Sequence, residues 1–112
     1  MYMRIKEEIN VRMNDFLEMC KSHNVKHLYA FGSAVTGNFK NKSDIDLIVE
    51  LNISDPIKHG ETLINLWDKL EAFFNRKVDL LTESSIHNPI LKKSIDKTKV
   101  LIYDGTGQEI LI

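Results

Sequence analysis

Apolar residues recur every three or four positions near the start of the chain: Ile5, Ile9, Met13, Phe16 and Cys20, with polar residues on the other face. This period predicts an amphipathic helix over about Arg4 to Ser22. Asn24 is placed to close it, because Asn tolerates the left-handed conformation that ends helices. The run Lys26 to Phe31, KHLYAF, predicts a short strand leading directly into Gly32-Ser33. Ala34 to Ser43 is polar, with Gly37 and Asn38 as turn formers. Asp44 to Leu51, DIDLIVEL, predicts a strand buried on at least one face. Ser54-Asp55-Pro56 has the composition of a helix start, with Pro suited to the first helical position. The helix body shows from Glu61 to Asn75, where Leu63, Leu66, Trp67, Leu70 and Phe74 form a stripe; Gly60 leaves its beginning open. Lys77 to Thr82 predicts a third strand, Pro89 to Lys97 a short helix, and Lys99 to Tyr103 a fourth strand. Asp104-Gly105 turns the chain, and Glu109 to Ile112 is placed to pair back as a hairpin arm. This alternation predicts the α/β (α+β) class: a small mixed sheet of about four to five strands flanked by three to four helices.

The 112 residues suit a single domain spanning 1–112. Apolar residues make up 43% and charged residues 28%, a composition that excludes a disordered chain. The net charge is -1, and it is evenly spread: 7 basic and 8 acidic residues up to Pro56, then 8 and 8. Duplex binding needs a concentrated basic face, so the charge argues against direct nucleic-acid binding. Cys20 is the only cysteine, which excludes an intrachain disulfide and a cysteine-cluster metal site. The N-terminal MYMRIKEEINVRMNDF lacks the unbroken apolar run of a signal region, and no stretch approaches the roughly 18 apolar residues of a membrane span. A cytoplasmic location is the expectation.

The chemistry concentrates in FGSAVTGNFKNKSDIDLIVE. Asp44 and Asp46 are two apart on a predicted strand, so their side chains share a face roughly 6.5 Å apart. Two carboxylates so placed can hold a hard divalent cation such as Mg2+. The plainer reading is that Asp44 caps a loop and Asp46 faces solvent. Gly32 lets the backbone turn tightly and approach a ligand closely. A helical turn opening at Ser33 would offer free N–H groups and a hydroxyl to a phosphate; the plainer reading makes Ser33 an N-cap alone. Asp79 lies within KVDLLT between Val78 and Leu80, where a charge is costly without a metal or a basic partner, unless it sits exposed on an edge strand. Three strand carboxylates near a phosphate-binding turn are the parts of a two-metal phosphoryl- or nucleotidyl-transfer site.

Gly32-Ser33, ten residues, Asp44-Ile45-Asp46 and the later Asp79 together resemble the DNA polymerase β-type nucleotidyltransferase superfamily. Within it, the chain is similar to the minimal nucleotidyltransferase (MNT) family over about Lys26 to Tyr103. The resemblance implies the polymerase β-type fold, ATP as substrate and two Mg2+ ions. It implies that Asp44 and Asp46 bind both metals, that Asp79 activates the acceptor hydroxyl, and that Gly32 and Ser33 hold the triphosphate. It further implies a HEPN-domain toxin as partner, with this chain as the antitoxin. The fold as read from the sequence stops shortly after the last strand, so the acceptor half of the site is expected from a second molecule. The end Ile110-Leu111-Ile112 and the exposed side of the first helix are candidate contact surfaces.

Competing motifs fail. Gly32 to Gly37 has P-loop spacing, but Asn38-Phe39 replaces the Lys-Ser/Thr pair. His23, His27, His59 and His87 show no zinc-binding spacing. Three functional readings remain. The chain transfers AMP from ATP to a partner protein's hydroxyl, a tyrosine in first place; or it neutralises a toxin by binding alone; or it acts on a small molecule as a homodimer. Three intact carboxylates favour the enzymes, and the missing acceptor domain favours the protein acceptor.

Overall fold

The structure is a computed structural model and describes residues 5–32 and 45–106. Its elements in chain order are α1 (Ile5–Val11), α2 (Met13–Ser22), β1 (Val25–Phe31), β2 (Ile45–Leu51), α3 (Pro56–Phe74), β3 (Val78–Leu81), a short 3-10 turn (Glu83–Ser85), α4 (Pro89–Thr98) and β4 (Val100–Asp104). The four strands form one mixed sheet in the order β3-β2-β1-β4. β1 pairs antiparallel with both β2 and β4, whereas β2 and β3 run parallel. This is the polymerase β-type architecture expected from the sequence. The expected hairpin arm from Glu109 to Ile112 lies outside the described residues. Among the described residues, no helix is long and apolar enough to cross a membrane.

Strand alternation sorts the sheet into two unlike faces. On one face Leu28, Ala30, Ile45, Leu47, Val49, Val78 and Leu80 are buried in a single cluster with Ile5, Ile9, Phe16, Cys20, Leu66, Leu70, Phe73 and Phe74 from α1, α2 and α3. The other face carries Tyr29, Phe31, Asp46, Ile48 and Asp79, because these alternate with the core residues along the registered strands. Ile48 and Ile95 are buried but do not belong to the main cluster.

The predicted stripe from Ile5 to Cys20 is one helical surface, yet the helix is broken. Arg12 leaves the helical backbone at φ -129 and ψ 50, separating α1 from α2. Arg12 is engaged elsewhere: its Nη2 donates to the Phe73 carbonyl in the last turn of α3, and its guanidinium lies 4.1 Å from the centroid of the Phe73 ring. That carbonyl is one a helix end leaves without an internal partner, so Arg12 caps α3. The hydrogen bonds Arg12 N–H to Ile9 O, 3.1 Å, and Phe16 N–H to Arg12 O, 3.0 Å, keep the two helices nearly continuous. Asn24 takes the expected left-handed conformation, φ 54.

Helix α3 starts at the sequence signal itself. Asp55 is its N-cap, accepting from the Lys58 N–H at 3.2 Å, and Pro56 opens the first turn. It therefore runs through Gly60, five residues ahead of the stripe that marked its body, and closes at Asn75 with φ 52. Asn88 caps α4 by accepting from Ile90 N–H and Leu91 N–H at 2.9 and 3.3 Å.

Replacing Arg12 by Ala should cost about 1.5 kcal/mol, the usual worth of a hydrogen bond from a charged donor. Urea unfolding followed by circular dichroism measures it; undiminished helix content beside a lower midpoint is the expected signature, since Ala favours helix at position 12. A second expectation concerns acid. The hydrogen bond from His27 Nδ1 at 2.8 Å, helped by the nearby Lys26 charge, holds the Glu50 carboxyl below its ordinary value of 4.5. A carboxyl lowered in the folded state stabilises above its ordinary pKa, and that contribution disappears as pH falls through the lowered value. Melting temperature measured from pH 6 downward should therefore fall less steeply below about pH 4.5 in Glu50→Gln than in the parent.

Candidate functional site

β1 ends on the face opposite the core. Its last residue, Phe31, pairs with Asp46 across the antiparallel ladder, and Gly32 follows at φ +65. A Cβ built on Gly32 would stand 2.6 Å from Oδ2 of Asp46. Position 32 is thus restricted twice, by a left-handed backbone and by a carboxylate seated where a side chain would be. Asp46 in turn stands beside Asp79: the two are Cα partners in the parallel pairing of β2 with β3. Registered partners share a face and neighbouring strands lie about 4.8 Å apart, so both carboxylates rise together from the sheet. Both are half-buried.

The peptide that carries Asp79 is held from two sides. Toward β2, the Ile45 N–H donates to the Lys77 carbonyl at 3.0 Å. On the outer side, Trp67 Nε1 donates to the Val78 carbonyl at 2.6 Å and Glu71 accepts the Val78 N–H at 3.0 Å. β3 is therefore tied both to its neighbouring strand and to α3.

A cavity of about 260 Å³ opens on the same sheet face, lined among others by Tyr29, Ile48, Thr82, Asp96 and Lys99. Ile48 is the next same-face residue after Asp46 along β2, but the lining continues to Glu50 and Leu51 and includes neither Asp46 nor Asp79. Lys99 lies 4.5 Å from the centroid of the Tyr29 ring and pairs with Asp96 at 3.1 Å. The chain's single thiol is elsewhere: burial pushes Cys20 up to about 12, which leaves it inert as a nucleophile at neutral pH.

The structure brings together Gly32, Asp46 and Asp79 from the predicted set. Ser33 and Asp44 lie outside the described residues. The edge-strand reading of Asp79 holds in that β3 borders the sheet among the described strands, but the residue faces Asp46 and is half-buried there. Sequence reasoning left out Tyr29 and Lys99, which have no motif spacing, and placed Trp67 in the core stripe only. The available signal was that Glu71 follows Trp67 by four residues on α3, the spacing at which two side chains reach one place.

Hard oxygen donors side by side, with a glycine cleared against one of them, suit a divalent cation of the Mg2+ type. Gly32→Ala should cost about 1–2 kcal/mol from the left-handed backbone alone. It should also turn the Asp46 carboxylate away. Thermal unfolding and Mn2+ titration together check this: Mn2+ affinity should fall even at temperatures where the variant is fully folded.

Residues 14–107 match the family described as Polymerase beta, Nucleotidyltransferase. Over 80 residues the chain is 39% identical to MJ1379 of Methanocaldococcus jannaschii, a candidate protein adenylyltransferase, covering 71% of this chain and 79% of that protein. Over 75 residues it is 33% identical to the protein adenylyltransferase MntA of Thermococcus cleftensis, covering 67% of this chain and 73% of the relative. Among solved structures, a chain of a toxin–antitoxin crystal structure with AMP-PNP superposes with a TM-score of 0.59 at 22% identity, over 85% of this chain and 76% of that chain. A candidate minimal nucleotidyltransferase superposes with a TM-score of 0.60 at 22% identity, over 88% of this chain and 95% of that one. The family match runs from α2 through β4, across every described strand, and with the shared fold it makes the chain a nucleotidyltransferase that belongs to the polymerase beta nucleotidyltransferase family.

Proposed function

We propose that this nucleotidyltransferase moves AMP from ATP to a hydroxyl of a partner protein, a tyrosine on a HEPN-type toxin, and thereby acts as the antitoxin. The observation that carries the reading is the registered pairing of Asp46 with Asp79 on one sheet face, behind Gly32. Relatives named as protein adenylyltransferases support a protein acceptor, and the toxin–antitoxin structure with AMP-PNP supports an adenine nucleotide and a toxin partner. The balanced net charge agrees with a protein or nucleotide ligand better than with a nucleic acid.

In this reading Asp44, Asp46 and Asp79 would hold two Mg2+ ions, and Gly32 and Ser33 would bind the triphosphate. When bound, the metal would neutralise triphosphate charge and ease deprotonation of the attacking hydroxyl. The chain's own residues do the rest. Gly32 lets backbone approach the phosphates without a side chain in the way. Asp79, on the outer described strand of the site, would accept the acceptor's proton.

Asp46→Asn and Asp79→Asn should each lower transfer on the order of a thousandfold. Both variants should remain folded, since neither residue belongs to the buried core, and circular dichroism checks this. Ser33→Ala should weaken nucleotide binding by about 1 kcal/mol, the loss of one hydroxyl contact, whereas Asp79→Asn should spare it. Titration calorimetry with a non-hydrolysable ATP analogue separates the two roles. The deciding experiment is intact-mass spectrometry of the two proteins incubated with ATP and Mg2+. One or more AMP masses should appear on the partner and none on this chain. An unmodified partner that is still neutralised by the Asp46→Asn variant would establish the binding module instead.

A further inference from the structure

Among the described residues β3 forms the border of the sheet, four residues long and paired with β2 alone. In a parallel ladder, alternate residues turn both backbone groups toward the neighbouring strand. Lys77 turns its carbonyl to Ile45, so Asp79 also faces β2, and the N–H and C=O of Val78 point to the open edge. Such outward groups ordinarily meet water or another strand. Here both are taken by one helix face. Trp67 Nε1 donates to the Val78 carbonyl and Glu71 accepts the Val78 N–H, at 2.6 and 3.0 Å. The two side chains are four apart on α3, and Leu66 and Leu70 beside them are fully buried in the core.

We propose that Trp67 and Glu71 are positioning residues: a side-chain clasp that takes up the outer backbone groups of Val78 and holds Asp79 in register with Asp46. The inference rests on reading Asp79 as a functional carboxylate. The reason is one of tolerance. β3 pairs with β2 over only four positions, and fraying from the start of so short a border strand reaches Asp79 directly after Val78. A reacting geometry fails with displacements on the order of 1 Å. An apolar pair at these positions would pack α3 against β3 equally well but would leave the peptide before Asp79 free to slip along the edge. The indole N–H and the carboxylate instead grip the donor and the acceptor of one peptide-bearing residue, which fixes its direction as well as its depth.

Three variants of the full chain test this. Trp67→Phe keeps an aromatic ring and removes the donor. Glu71→Ala removes the acceptor, and Glu71→Gln retains a side-chain oxygen that can accept the same N–H. Amide hydrogen exchange at Asp79 should quicken about tenfold in Trp67→Phe and in Glu71→Ala, the effect of one lost hydrogen bond. It should return toward the parent rate in Glu71→Gln. Mn2+ affinity should follow the same order. For AMP transfer, kcat should fall by about tenfold or more while KM for ATP stays within about twofold, again with recovery in Glu71→Gln. Ile9→Val, a core change of comparable stability cost, should leave exchange at Asp79 and the kcat-to-KM pattern unaltered. The clasp is overturned if exchange at Asp79 is unchanged in both loss variants, or if Ile9→Val reproduces their effects. If the parent transfers no AMP to any partner, the functional reading fails, and exchange with Mn2+ affinity still decides the clasp.

Discussion

The parallel, in-register contact between β2 and β3 places Asp46 beside Asp79, and the rest of the described chain is arranged around that contact. Two carboxylates at strand spacing, roughly 5 Å, repel one another and resist burial. The pair is carried on the face away from the main core: α1, α2 and α3 pack against the other face, where Leu28, Leu47, Val49 and Val78 are sealed with Ile9, Phe16, Leu66 and Leu70. No polar residue among those described is fully buried, so the apolar core holds the structure without taking charge into it.

The helix α3 links the two roles. Its Leu66, Leu70, Phe73 and Phe74 are core, and its Trp67 and Glu71 reach the backbone just ahead of Asp79. Its C-terminal end leads into β3 and is fastened by the first helix. Arg12 caps the Phe73 carbonyl, and Glu8 pairs with Arg76 at 2.5 Å with both side chains largely buried. A hydrogen bond from a charged donor to an otherwise unpaired helix carbonyl is worth more than its neutral counterpart, which explains why α1 gives way to α2 at that residue. The break costs little helix, because backbone hydrogen bonds continue on either side of Arg12.

Gly32 shows how closely the remaining parts are fitted. The residue satisfies a turn at φ +65 and yields its side-chain volume to the Asp46 carboxylate. Either demand alone would favour glycine; both together leave no other residue without displacement. A position that serves the turn after β1 thereby also sets the room available around a carboxylate on β2, two elements that the chain joins through residues 33–44.

The elements themselves were determined locally. Periods of two and of three to four, an Asp-Pro helix start and an Asn tolerant of left-handed backbone are properties of neighbouring residues, so strands, helices and caps could be read without the fold. The motif of Gly32, Asp46 and Asp79 was equally visible, because each residue is out of place by ordinary propensity: a carboxylate in an apolar strand needs a reason. Where α3 begins was obscured by Gly60, whose missing side chain interrupts the stripe, although Asp55 and Pro56 had already marked the start. The break at Arg12 could not be read at all, since its cause is a carbonyl 61 residues away in sequence. The same holds for strand order and register, which decide that Asp46 meets Asp79, and for the approach of Trp67 and Glu71 to Val78. Local chemistry selects which residues are capable of a role; only long-range packing, which trades one register for another at the cost of the whole core, decides which of them stand together.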